Sequence, residues 1–158
     1  MEEKTNVMRI LQQKKIPYQM HSYADTDAIS GEEVAEVLGE DPKRVFKTLV
    51  TLARSGKHYV FLVPSQEKLD LKKSAKCVGE KSLEMLRSKE LLSLTGYVHG
   101  GCSPIGMKKF FPTTIHKTAE DLETIFISAG KIGYQIEISL KDLAKVISFR
   151  TDDLIEHM

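Results

Sequence analysis

Lys47 breaks an otherwise apolar run, Val45-Phe-Lys-Thr-Leu-Val-Thr-Leu-Ala53, whose β-branched and aromatic residues predict a strand. Lysine is almost never buried without a partner. Lys47 is therefore either a solvated position on one face of an antiparallel sheet or an ammonium fixed at the floor of a cleft. In the cleft it would hold a carbonyl or phosphate oxygen, and desolvation would ease loss of its proton. A second segment, Gly100-Gly-Cys-Ser-Pro-Ile-Gly106, is loop chemistry. It is either a sharp turn needing positive φ angles or a set of backbone N–H groups open to a ligand oxygen. It is not a Walker loop, although Gly101 and Gly106 have that separation. Met107 stands at the lysine position and Pro104 removes a donor. A third segment, Ser128-Ala-Gly-Lys-Ile-Gly133, predicts a hairpin turn and places a hydroxyl, a lysine and two glycines side by side.

Other reactive side chains suggest less. A Cys102–His99 dyad is weakly supported, because residues three apart on an extended segment face opposite ways. Cys102 reads better as a small buried loop thiol. Cys77 and Cys102 form no Cys-x-x-Cys, and His21, His58, His116 and His157 have no metal-ligand spacing. Neither a metal nor an organic cofactor is expected. Lys72, Lys73 and Lys76 make one basic helix face and Lys108-Lys109 a small cluster, both read as solvated surface able to meet a few phosphates by charge.

The elements that must position these residues follow from periodicity. Val7, Met8, Ile10 and Leu11 predict a helix from Thr5 to about Lys15, ended by Pro17. Tyr18–Tyr23 reads as a short strand, and Ser30-Gly-Glu-Glu33 as a capping box opening a helix that stops at Gly39. The Lys47 strand turns at Ser55-Gly56 and returns through Tyr59–Val63 as an antiparallel hairpin. Leu69–Val78 and Lys81–Leu94 read as helices, Phe110–His116 as a strand, and Glu123–Ser128 with Tyr134–Ser139 as a second strand pair. A last helix runs from Ser139 to about Ile147. Hairpin strands mixed with helices that do not alternate regularly with them predict an α+β fold.

The sequence has 158 residues with 23 Lys plus Arg against 22 Asp plus Glu, a net charge of +1. That balance gives no global field for a DNA duplex. There is no repeat or linker, so one domain over residues 1–158 is expected. The N-terminus lacks an apolar signal core and no apolar run approaches about 20 residues, so no membrane association and a cytoplasmic location are expected.

Three motifs in order, Val45-Phe-Lys-Thr-Leu49, Gly96-Tyr-Val-His-Gly-Gly-Cys-Ser-Pro-Ile-Gly106 and Ser128-Ala-Gly-Lys-Ile-Gly-Tyr-Gln-Ile-Glu-Ile138, make the sequence similar to the bacterial YbaK/EbsC family. Those proteins resemble the editing domain inserted in bacterial prolyl-tRNA synthetase. The likeness runs from Ile16-Pro17 to the last helix. It implies a curved, barrel-like mixed sheet flanked by helices, and a free-standing deacylase of Cys-tRNA(Pro) with prolyl-tRNA synthetase as a partner. It also implies a site: Lys47, Gly100 and Ser128 as catalytic positions, with Tyr23, Thr48, Gly101 and Gln135 binding substrate. Some relatives carry aspartate where this chain has Gln135, whose amide can still hydrogen-bond. The resemblance further implies that no protein nucleophile is needed, because the substrate's own thiol attacks its carbonyl. The alternatives are a deacylase for alanine or serine and a non-catalytic module that grips tRNA or a synthetase.

Overall fold

The computed structural model describes residues 4–157. Met1–Glu3, part of the segment read for a leader, and Met158 lie outside the described residues. Thr5 caps the first helix, α1 (Asn6–Gln13), by accepting from the Met8 N–H, and Val7, Met8 and Leu11 are its buried stripe. A left-handed Lys15 (φ 58°) turns the chain before Pro17. Strand β1 (Gln19–Ser22) follows, then α2 (Gly31–Leu38), which has the expected capping box between Ser30 and Glu33 and a left-handed Gly39 at its end.

A 3-10 turn at Pro42–Arg44 leads into β2 (Phe46–Ala53), which pairs antiparallel with β3 (His58–Pro64) from Phe46↔Pro64 to Leu52↔His58. Next come α3 (Leu71–Val78), β4 (Leu83–Met85), α4 (Ser88–Thr95), β5 (Thr113–His116), β6 (Ile125–Lys131), β7 (Tyr134–Ile138), α5 (Leu140–Leu143) and β8 (Arg150–Asp152). The fold is mixed α+β.

Three expectations change: the last helix, expected to about Ile147, ends at Leu143, and the other two concern the sheets. The helix expected over Lys81–Leu94 is a strand followed by a helix: Leu83–Met85 adds to the edge of β2, pairing Ala53↔Leu83 and Thr51↔Met85, and only then does α4 begin. Tertiary pairing at an open sheet edge outweighs the helical propensity of Leu-Glu-Met. The single barrel-like sheet is, among the described residues, two sheets of order β4-β2-β3-β5-β8 and β1-β7-β6. They touch through one bridge, Val45↔Phe126, and part beyond it. A bulge between Ser128 and Lys131 accompanies the parting, bending β6 where Gly130 takes φ 93°.

Both faces of the larger sheet are covered. Val50, Val60, Leu62 and Ile115 pack with α1 and with Ile125, Ile127, Ile136 and Ile138 of the smaller sheet. On the other face Tyr59, Phe61 and Val63 pack with Ala75 of α3 and with Leu154 and Ile155. That explains why β3 is buried along nearly its whole length.

The C-terminal segment is clasped to α3. Lys73 Nζ donates to Asp153 Oδ2 and to the Ile155 carbonyl, both at 2.9 Å, and His157 Nε2 lies 3.1 Å from Asp153 Oδ1. The Lys73 hydrogen bond holds the Asp153 carboxyl far below its ordinary value. A depressed folded-state pKa contributes stability that is complete above the unfolded value near 4 and is lost as pH falls below it. Asp153→Asn is therefore expected to lower Tm at pH 7 by about 2–4 °C, with the deficit closing between about pH 4 and 2. A deficit constant across that range in thermal melts would exclude this ionic contribution.

Candidate active site

Between Phe46 and Leu49, β2 pairs only with β3; its other edge, which β4 occupies from Thr51 on, faces β6 across a cleft of about 560 Å³. The cleft is lined by β2 on one side and by Ile127, Ser128 and Gln135 of the smaller sheet on the other. The N-terminus of α2 and the glycine loop complete its walls. Six of the seven positions expected from the sequence line it: Tyr23, Lys47, Thr48, Gly100, Ser128 and Gln135.

Lys47 is partly buried, and its ammonium makes no hydrogen bond or ion pair among the described residues. Burial pulls its pKa below the ordinary lysine value, and the more distant Glu32 and Glu67 carboxylates act against that shift. Thr48 adds a buried hydroxyl oxygen with no partner. Buried polar atoms are almost always paired, and Thr48 Oγ1 shares its orphan state with Ser74 Oγ, which does not line the cleft.

Tyr23 follows β1 and is 5% exposed. Its N–H donates to the Gly133 carbonyl at 2.7 Å, which ties it to the β6–β7 hairpin. Burial raises its phenol pKa, partly offset by a backbone hydrogen bond from Gly133. Ser128 Oγ accepts from the Gly130 N–H at 3.1 Å and so shapes the bulge. Gly100 sits at φ 87°, where a Cβ would meet Ile29 Cγ2 at 3.1 Å.

Gly101 is the exception. It does not line the cleft: a Cβ there would come within 3.0 Å of the Ile132 nitrogen and 3.3 Å of the Lys131 backbone. The absence of a side chain lets the glycine loop lie against the hairpin, so its place is in packing.

Cys102 and His99 both line the cleft, but the thiol is buried and desolvation pushes it up to about 12. It is a protonated, poor nucleophile at neutral pH. Cys102→Ala is expected to keep the activity implied by the family resemblance within about threefold of wild type while lowering stability by about 1 kcal/mol. Loss of activity in a steady-state assay with a folded variant would reassign the nucleophile.

Sequence reasoning missed two parts of this site. Ser30-Gly-Glu-Glu33 was legible as a capping box, but not as a cleft wall. Gly31 allows that placement, since a Cβ would strike Ser65 Cβ at 2.4 Å. Glu40, which lies against Gln135, gave no signal beyond its place after a helix-ending glycine.

Comparison with known proteins identifies the relatives of this chain. The aminoacyl-tRNA editing domain matches residues 25–146. The chain is 48% identical over 139 residues to EbsC of Enterococcus faecalis, assigned as a Cys-tRNA(Pro)/Cys-tRNA(Cys) deacylase, covering 87% of this chain and 85% of that protein. It is 34% identical over 76 residues to the proline–tRNA ligase of Thermosipho melanesiensis, covering 48% of this chain and 13% of the ligase. A solved structure described as a trans-editing enzyme for prolyl-tRNA synthetase superposes with a TM-score of 0.82 at 23% identity, covering 98% of this chain and 100% of that one, which supports the fold alone. No helix among the described residues is long and apolar enough to cross a membrane. The chain belongs to the aminoacyl-tRNA editing domain family.

Proposed function

We propose that this protein, acting as one unit over residues 1–158, removes cysteine from mischarged Cys-tRNA(Pro) in the cytoplasm, with prolyl-tRNA synthetase as its partner. The observation that carries the proposal is Lys47, whose ammonium has no partner among the described residues and which lines one cleft with Gly100 and Ser128. An aminoacyl ester is already activated. Holding it in place and stabilising the negative charge that develops on its carbonyl oxygen supplies most of what its cleavage needs.

In this reading the terminal adenosine enters the cleft with the ester carbonyl against Lys47. Thr48, Tyr23, Ser128 and Gln135 line the cleft and orient the acyl group. The substrate thiol gives up its proton and its sulfur attacks the carbonyl carbon. The ribose oxygen leaves with a proton, and water opens the resulting four-membered thiolactone to free cysteine. Cysteine and proline are too close in size for one pocket to separate well, which gives a second hydrolytic site its use. The near-neutral charge of the chain gives little grip on tRNA alone, which favours delivery by the synthetase.

The test is ester half-life on tRNA(Pro) charged with cysteine, alanine or serine, and on Cys-tRNA(Cys), with and without protein. Rapid loss of cysteine is expected. Rapid loss of alanine with cysteine untouched would overturn the cysteine assignment, and equal half-lives with and without protein would leave a binding module.

A further inference from the structure

Gln135 lines the cleft, and a charged cluster that the proposed chemistry leaves unused lies behind it. Strand register puts His21, Gln135 and Ser128 in one row and Gln19, Glu137 and Phe126 in the next row but one, so all of them share a face of the smaller sheet. The segment after α2 lies over that face. Glu40, whose side chain is 7% exposed, faces the Gln135 amide; with the amide turned so that its nitrogen meets an ionised Glu40, that nitrogen donates to Oε2 at 2.8 Å and to Oε1 at 2.7 Å.

The neighbours of Glu40 are themselves fixed. His21 Nδ1 is 4.0 Å from Glu40 Oε2, and His21 Nε2 is 3.0 Å from Glu137 Oε1. Glu137 Oε2 accepts from Thr124 Oγ1 at 2.6 Å and from Arg44 Nη2 at 3.3 Å, and the Arg44 guanidinium lies 5.0 Å over the Phe126 ring. Burial and the Glu137 charge push Glu40 up to about 7, with Arg44 opposing. The two N–H bonds from Gln135 favour its ionised form. With Glu40 ionised, Arg44 is set against two carboxylates, Glu40 and Glu137.

The cleft itself lacks such a charge in its interior. Its lining carboxylates, Glu32 and Glu33, are both exposed, and Glu33 Oε1 is occupied by the N–H groups of Ile29 and Ser30. Lys47 adds positive charge. An aminoacyl ester brings an α-ammonium into this space, and the ammonium needs an acceptor. An amide presents either a carbonyl or an NH₂, and a carboxylate behind it, being acceptor-only, selects which.

We propose that Glu40 is a positioning residue that anchors the Gln135 amide by its nitrogen, so that Gln135 Oε1 is presented to the cleft as the acceptor for the α-ammonium of the bound aminoacyl group. This rests on the deacylase reading for the identity of the ligand. Replacing Glu40 with glutamine removes the selection, because two amides pair in either sense and the cleft then meets NH₂ as readily as C=O.

The test uses two non-hydrolysable probes, 3′-cysteinylamido-3′-deoxyadenosine and its 3-mercaptopropionyl counterpart, which keeps the thiol but lacks the amine. Binding to the full chain is measured by calorimetry. Glu40→Gln is expected to weaken the amine probe about tenfold, the scale of one charge-assisted hydrogen bond, and to leave the amine-free probe within about twofold. Gln135→Leu should weaken the amine probe at least as much, and the double variant should lose no more of it than Gln135→Leu alone. Equal weakening of both probes, or an unchanged amine probe, would overturn the positioning role. A wild-type protein that binds the amine probe with this pattern but releases no cysteine would refute the deacylase reading and leave the Glu40–Gln135 role standing. Binding of neither probe would overturn both.

Discussion

Lys47→Ala is expected to lower kcat/KM for Cys-tRNA(Pro) about 100-fold, the scale of removing one preorganised donor from a developing oxyanion. The same substitution should leave Tm unchanged or higher. Lys47 is partly buried, its ammonium has no hydrogen bond or ion pair among the described residues, and its pKa is lowered chiefly by burial. Its ammonium is therefore a net electrostatic burden on the folded state. A lysine kept for structure would behave in the opposite way, with a lower Tm and near-normal turnover. Melting curves and initial rates on one preparation separate the two.

The second large effect is on the substrate side. Seryl-tRNA(Pro), which differs from the cysteinyl ester by oxygen for sulfur, is expected to react roughly 100-fold or more slowly while competing for the same cleft, because an alcohol ionises far less than a thiol near neutral pH. Neither Cys102 nor Ser128 makes up for that difference: the Cys102 thiol is held protonated by burial, and Ser128 Oγ is engaged by the Gly130 N–H with no base bonded to it among the described residues. Selectivity is then chemical, and it appears in kcat more than in KM. Comparable kcat for the two esters would mean that the protein supplies the nucleophile or activates a water.

Local chemistry carried much of this structure in the sequence. The capping box at Ser30, the β2–β3 hairpin and the Ser128–Gly133 turn depend on residues close in the chain, and they form where periodicity and turn residues place them. Long-range pairing was not readable in the same way. Leu83–Met85 joins β2 and Arg150–Asp152 joins β5 because unpaired strand edges wait there, a fact of the assembled sheet. The site divides along the same line. Lys47, Ser128 and the glycine loop stood out by residue type, whereas Glu40 became visible only once β1, β7 and the end of α2 had been brought together around Gln135. Gly101 was misplaced for a related reason: two adjacent glycines look alike in sequence, yet one faces the cleft and the other packs on a neighbouring backbone.

The central claim is that the Lys47 ammonium meets the ester carbonyl while the attacking atom belongs to the substrate. A crystal structure of the protein with 3′-cysteinylamido-3′-deoxyadenosine tests it most directly. The expected result places the carbonyl oxygen within hydrogen-bond distance of Lys47 Nζ, about 3 Å, with the ligand's own sulfur the nearest nucleophile to the carbonyl carbon. A carbonyl bound away from Lys47, or seated against Cys102 Sγ or Ser128 Oγ in line for attack, would contradict it.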